Sequence, residues 1–401
     1  MPGHARINPR GFMGKGFMGK GFMGKGFMGK GFMGKGFMGK GFMGKGFMGP
    51  SRRSFVLGAS ASVVAAHAAA QVAKRELIPF GAAVMISDFQ SDAALRDQLV
   101  KLCDIIVPMN ELKWEWLRQN RAGYRFEQAD EIIGFARKHN KRTHGHAFLW
   151  GEALPPWAKQ LIDAREAERE LVKHIETVAA KYAGIIPTWD VVNEVIASTP
   201  TPDAPYRDSV WFRLLGPRLV DLAFQTAARA DPAAKLVLND YALEAVEERT
   251  PERRRQVLRL VRHLQDRNIP IHQIGFQAHL YGEKAIDQRG LTAFCRELGR
   301  LGVGVRVSEL DVIDWKLPGD IAQRDKMAAE TTTAFLGAMI EGQRPEAIIT
   351  WGLSDRSTWV NDIFKRQDRL KARPLPLDAD YRPKPMLAAI LAARMPGPSG
   401  R

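Results

Sequence analysis

Trp189-Asp190-Val191-Val192-Asn193-Glu194 is a run of strand length whose apolar residues give way, at the C-terminal end, to an amide and a carboxylate. Seven more apolar runs of similar length repeat along the chain. With Pro187 to Asn193 they are Phe80 to Met85, Ile105 to Met109, Thr143 to Trp150, Lys235 to Asn239, Ile274 to His279, Val305 to Glu309 and Ala347 to Trp351. Between them lie longer amphipathic segments. In Arg165 to Tyr182, Leu171, Ile175 and Val178 recur every three to four residues among Glu and Lys, the pattern of a surface helix. Eight strand-helix pairs with no linker-like gap predict one α/β domain over residues 76–395, with a flexible tail at 396–401. Two architectures hold that many units, an open doubly wound sheet and a closed barrel. No glycine-rich phosphate loop follows the first strand, and Gly302-Val303-Gly304 precedes a strand instead of following one. The expectation is therefore a single (β/α)8 TIM barrel.

In such a barrel the chemistry sits at the C-terminal strand ends. Those ends carry Asn110-Glu111-Leu112-Lys113, His146 to Trp150, Asn193-Glu194, Asn239-Asp240-Tyr241, Gln277-Ala278-His279, Ser308-Glu309-Leu310-Asp311 and Trp351-Gly352. Two carboxylates among indoles and amides suit cleavage of a glycosidic bond, which needs one acid for the leaving oxygen and one nucleophile or base opposite. Glu194 and Glu309, closing strands four and seven, are on opposite sides of an eight-stranded ring, whereas Asp190 and Asp240 lie inside or beyond their strands. Trp114, Trp157 and Trp189 are expected to pack in the core or rim.

From Gly81-Ala82-Ala83 to Tyr381-Arg382-Pro383-Lys384-Pro385, the ordered set of these motifs resembles glycoside hydrolase family 10, the barrel endo-β-1,4-xylanases. The resemblance implies that Glu194 is the acid/base, with Asn193 beside it for the sugar 2-hydroxyl, and that Glu309 in Val307-Ser308-Glu309-Leu310-Asp311 is the nucleophile. It implies that Gln277 and His279 neighbour the nucleophile, that Asp311 supports His279, and that Tyr241 lines the site. Asn110, Lys113, His146 and Trp150 would bind sugar on the non-reducing side, and Trp351 and Trp359 would floor and cover the cleft. The implied reaction retains anomeric configuration through a glycosyl-enzyme ester and places the carboxyls about 5 to 5.5 Å apart. Glu194 must then start protonated.

Three positions depart from the family pattern. Met109 stands where a carboxylate is usual, Gly151 where a His is common and Ala242 where an Asn is common. Losing a charge-assisted hydrogen bond to a sugar hydroxyl costs about 1.5–3 kcal/mol. A β-glucanase, a xylo-oligosaccharide-specific hydrolase and, in a different class, a sugar-binding barrel without turnover therefore stand beside the xylanase.

The formal charge of +15 belongs to the leader. Residues 1–70 hold eleven Lys and Arg and no Asp or Glu, and the rest carries 48 basic against 44 acidic residues. No nucleic-acid partner follows from that balance. Gly-Phe-Met-Gly-Lys occurs seven times from Gly11 to Lys45, so residues 1–49 read as low-complexity sequence, disordered or lying upstream of a later start such as Met48. Residues 50–72, with Arg52-Arg53, a short Ala/Ser-rich apolar run and Ala68-Ala69-Ala70, resemble a twin-arginine export signal. The expectation is a periplasmic or secreted monomer with no stable membrane anchor, whose partners are a β-linked polysaccharide and the export machinery. Cys103 and Cys295 are the only cysteines, and no Cys/His cluster has metal-ligand spacing, so no metal and no cofactor is expected.

Overall fold

The computed structural model describes residues 77–396. The repeat and export-signal readings, and the tail beyond Pro396, lie outside the described residues. The strands are β1 (Phe80–Val84), β2 (Ile105–Pro108), β3 (Arg142–Thr143), β4 (Gly145–Trp150), β5 (Thr188–Asn193), β6 (Lys235–Asp240), β7 (Gln273–Phe276), β8 (His279–Tyr281), β9 (Gly304–Ile313) and β10 (Ile348–Thr350). Their spatial order is β3-β2-β1-β10-β9-β7-β6-β5-β4, with β8 paired to β9. The ladders are parallel. Only His144 separates β3 from β4, so the two ends of this order meet in one interrupted strand and the sheet closes as the expected barrel. Counting β3 with β4, and β7 with β8, gives eight strands.

Buried apolar side chains explain why these segments pair. The strands are buried nearly throughout, as parallel strands covered by helices must be. The helix Ala164–Tyr182 starts one residue before the expected position, where the Asp163 side chain accepts from the Glu166 amide. It turns Leu171, Ile175 and Val178 inward. Trp189 stacks on Phe148 with centroids 4.1 Å apart, which leaves no space for a side chain at Gly145, where a Cβ would lie 2.0 Å from the Trp189 ring. Trp114 and Trp157 also pack in the rim, their indole N–H groups donating to the Phe148 and Arg118 carbonyls at 2.7 and 2.9 Å. Cys103 and Cys295 are buried and unpaired, and burial pushes both thiols up to about 12.

Three strand readings change. Ile274 to His279 is not one strand, because the chain breaks at Gln277-Ala278, with Ala278 at φ +57°, and resumes as β8. β9 runs on to Ile313, since β8 pairs with its second half through His279↔Asp311. Glu309 therefore lies within its strand rather than at its end. Asp240 closes β6 instead of lying beyond it.

Behind the barrel mouth, Arg253 on the helix Thr250–Asp266 is fully buried and pairs with Asp240. Its guanidinium also donates to the Tyr241 carbonyl at 2.9 Å and to those of Ile196 and Ala197, fixing the turn that follows β5. Burial outweighs the Arg253 charge and lifts the Asp240 carboxyl to about 6. Arg253→Met is expected to lower unfolding free energy by about 3–5 kcal/mol in urea titrations, because it leaves a buried acid uncompensated. The double variant Arg253→Met/Asp240→Asn loses clearly less, and equal losses would contradict this reading.

Candidate active site

The polar strand ends meet at one mouth of the barrel. A strand alternates its side chains, so Asp190 and Asn193, three residues apart on β5, would face opposite ways in regular geometry. The pairing register of β5 with β6 shifts between Asp190 and Val192, and with that irregularity both side chains reach inward partners. Asp190 Oδ2 lies 2.9 Å from His144 Nε2 and 2.8 Å from His146 Nδ1. Burial opposes the Asp190 charge, but the two imidazoles outweigh it and hold the carboxyl well below its usual range.

Asn193 Oδ1 accepts from Gln277 Nε2 at 3.1 Å and from Asn239 Nδ2 at 3.0 Å. Both bonds fall on the oxygen, which fixes the amide and leaves Nδ2 as its free donor. Gln277 Nε2 also reaches Glu194 Oε1 at 3.1 Å, and Asn239 Nδ2 reaches Glu309 Oε1 at 2.7 Å. The two carboxylates are thus joined through three hydrogen-bonded amides. The Ser308 hydroxyl sets Asn239 from behind, donating to its Oδ1 at 2.6 Å. Gly275 must lack a side chain there, since a Cβ would lie 2.2 Å from the same Oδ1. Glu194 follows the end of β5 with φ +57°, a left-handed turn for a residue that has a Cβ.

Glu309 and Asp311, two residues apart on β9, share a face and clasp one imidazole. His279 Nε2 is 3.1 Å from Glu309 Oε2, its Nδ1 is 3.0 Å from Asp311 Oδ1, and the Trp359 indole N–H donates to Asp311 Oδ2 at 2.7 Å. Burial disfavours a charge on His279, yet Asp311 and Glu309 overcome this and raise its proton affinity well above the ordinary value. Burial likewise opposes ionisation of Glu309, and His146, His279 and Lys113 reverse the sign, so its carboxyl titrates below the usual range.

A second group lies beside β2. Lys113 Nζ donates to Asn110 Oδ1 at 2.8 Å and stands 4.9 Å from the Trp150 ring and 5.5 Å from that of Trp351. Burial pulls the Lys113 ammonium below its ordinary proton affinity, although Glu309, Glu111 and Glu194 favour its charge. The Trp351 ring meets that of His146 edge-on at 5.0 Å. Tyr241 is buried against Arg253, with the guanidinium 4.2 Å from its ring. The structure therefore gathers Asn193, Gln277, His279, Asp311 and His146 around the two carboxylates, Asn110, Lys113, Trp150 and Trp351 at the β2 side, and Tyr241 behind. Met109 packs with Trp351 and its apolar neighbours, and a Cβ at Gly151 would sit 3.0 Å from that of Ser209.

Sequence reasoning passed over Asn239 and Asp190, which hold other site groups in place. Asn239 was visible as a strand-end amide; Asp190 was set aside for its place inside a strand. Arg207, which pairs with Glu194, gave no signal, because a loop of undefined course carries it.

The arrangement is a buried carboxylate held ionised by imidazole and amide donors, linked through three amides to a second, more accessible carboxylate that pairs with Arg207. A Glycosyl hydrolase family 10 model matches residues 68–393. Endo-1,4-beta-xylanase B of Thermotoga neapolitana is 32% identical over 293 residues, covering 72% of this chain and 79% of that protein. Endo-1,4-beta-xylanase A of Humicola insolens is 35% identical over 261 residues, or 64% of this chain and 66% of that one. Among solved structures, xylanase 10B from Thermotoga petrophila RKU-1 in complex with xylobiose superposes with TM-score 0.72 at 28% identity, over 80% of this chain and 95% of that one. His279→Gln is expected to move the Glu309 titration upward by about 1–3 pH units, since an opposite charge in contact is removed. Carbon NMR of the Glu309 carboxyl reads that shift, and an unchanged titration would contradict the assigned electrostatics.

Proposed function

Because the chain belongs to glycosyl hydrolase family 10, we propose that it is a retaining endo-β-1,4-xylanase in which Glu309 is the nucleophile and Glu194 the acid/base. The observation that carries the assignment is the unequal surroundings of the two carboxylates. Glu309 has His279, Asn239 and the nearby His146 to keep it ionised and aimed, as a nucleophile requires. Glu194 is reached by Gln277 and Arg207 and is less deeply buried, which suits a group that exchanges protons with substrate and water.

In the first half-reaction Glu309 Oε bonds to the anomeric carbon as the glycosidic C–O bond breaks, and the Glu194 proton goes to the departing oxygen. In the second, Glu194 takes a proton from water while the water oxygen displaces the ester from the opposite face. Two inversions leave the β configuration. Asn193 Nδ2 donates to the sugar 2-hydroxyl, and Asp311 with Trp359 holds the His279 imidazolium in the orientation that serves Glu309. Lys113, Asn110, Trp150 and Trp351 form a binding wall on the β2 side, where the indole faces suit the flat faces of xylose rings. The absence of a carboxylate at Met109 weakens polar contact at the far end of that wall. Residues 50–72 act, on their sequence, as a twin-arginine signal that exports the folded enzyme; among the described residues no helix is long and apolar enough to cross a membrane.

On xylotetraose, Glu194→Ala is expected to lower kcat/KM by about 10²–10⁴-fold, the usual range for losing a general acid. Glu309→Ala abolishes turnover on any substrate, and with the unaltered protein the first product seen by proton NMR has the β configuration. An α product would refute the double displacement, and binding of xylan without turnover by the unaltered protein would identify a sugar-binding barrel.

A further inference from the structure

After β5 the chain doubles back on itself. Ile196 pairs antiparallel with Tyr206, the Ala197 amide donates to the Pro205 carbonyl at 2.8 Å, and the Arg207 amide donates to that of Val195 at 2.8 Å. This short hairpin sets Arg207 opposite Val195, the residue after Glu194. One arm of its guanidinium pairs with Glu194 Oε2, and the other lies 3.3 Å from Glu152 Oε1, on the loop after β4. The Arg207 and Glu194 side chains are 16% and 13% exposed, whereas Glu152 is 46% exposed. A cavity of about 20 Å³ borders the pair, and Leu149, Val192, Trp211 and Phe212 line it with apolar surface. In such surroundings an ion pair is stronger than in water.

The contact fits one half of the catalytic cycle and opposes the other. With Oε1 held by Gln277 and Oε2 by Arg207, both oxygens of Glu194 accept hydrogen bonds, which is the arrangement of an ionised carboxylate. That is the base of the second half-reaction. A protonated Glu194 has no charge for Arg207, and the guanidinium, fully charged at all working pH values, then has only Glu152 to face. We propose that Arg207 is a positioning residue shared between two carboxylates, paired with Glu194 when that group is ionised and drawn to Glu152 when it is protonated. Glu152 thereby sets how readily Glu194 regains its proton after each turnover. The proton itself enters from the attacking water and leaves with the departing hydroxyl, so Arg207 and Glu152 neither gain nor lose one.

The other charged or titratable groups that face Glu194 are Lys113 from the β2 side, Asp240 at the end of β6 with Tyr241 just after it, and Glu309 across the amide chain. Asp240 is neutralised by Arg253, and Lys113 is shared with Glu309 and Glu111. Arg207 is the cation in direct contact with Glu194. Burial works against the Arg207 charge, and Glu194, Tyr241 and Glu152 outweigh it.

The inference rests on Glu194 being the acid/base. The test is the pH profile of kcat/KM on xylotetraose for the unaltered enzyme, Glu152→Gln, Arg207→Met and Arg207→Lys. Arg207→Met is expected to move the alkaline limb upward by about 1–3 pH units, the range for removing an opposite charge in contact. Arg207→Lys restores most of the original position. Glu152→Gln, a half-exposed change that leaves the fold intact, moves the limb the other way, because the guanidinium then has Glu194 alone. A common loss at every pH with the limb unmoved, in Glu152→Gln as well as Arg207→Met, overturns the proposal. Azide and an aryl β-xylobioside separate the two failures. If azide restores turnover to Glu194→Ala while the limb stays fixed in Glu152→Gln, the acid/base reading stands and the Arg207 role falls. If azide restores nothing, both fall.

Discussion

The Asn239 side-chain amide is the joint on which the catalytic mouth depends. Its nitrogen lies 3.0 Å from Asn193 and 2.7 Å from Glu309, so one NH2 group spans the residue beside the proposed acid/base and the proposed nucleophile. Ser308 and the bare Gly275 backbone set the amide's place from behind. The geometry of bond cleavage thus becomes a consequence of strand register. β5, β6, β7 and β9 are neighbours in the barrel: β6 carries the amide, β5 supplies Asn193, β7 supplies Gly275, and β9 supplies both Ser308 and Glu309. Small errors in reacting geometry are costly to rate, so a rigid sheet is a better mounting than a loop.

Electrostatics adds the second constraint. The barrel mouth buries Lys113, His144 and His146 and leaves His279 only partly exposed, beside the carboxylates Glu309, Asp190 and Asp311. Removing water from such groups is expensive unless each finds a partner. Here each carboxylate has one: Asp190 takes two imidazoles, Asp311 takes His279 and the Trp359 indole, and Glu309 takes His279 with Asn239. Glu194 is the exception. Its partner Arg207 comes from a loop, not a strand, which leaves its surroundings free to change during the cycle.

The barrel was legible because its signal is local. Eight apolar runs at regular spacing, each closing on polar residues, need no knowledge of distant contacts, and the residues at those ends included both carboxylates, the amides and the imidazoles. What the sequence hid depends on contacts between elements. β9 outruns its expected end because β8 pairs with it, a matter of register that β9 alone does not encode. Asp190 looked like a buried strand residue because the irregularity that turns it toward His144 and His146 has no composition of its own. Arg207 sits thirteen residues after Glu194 in a Pro-rich stretch without periodicity, and only the Ile196–Tyr206 bridge brings it back.

The central claim is that Glu309 attacks the anomeric carbon and holds it in an ester. A 2-deoxy-2-fluoro-β-xylobioside with a good leaving group slows release of that ester, so incubation followed by peptic digestion and mass spectrometry reads the attachment site directly. The account predicts one fluorinated sugar unit per protein, on the peptide containing Glu309. A label on another residue, or rapid hydrolysis with no adduct under conditions where the ester should persist, would contradict it.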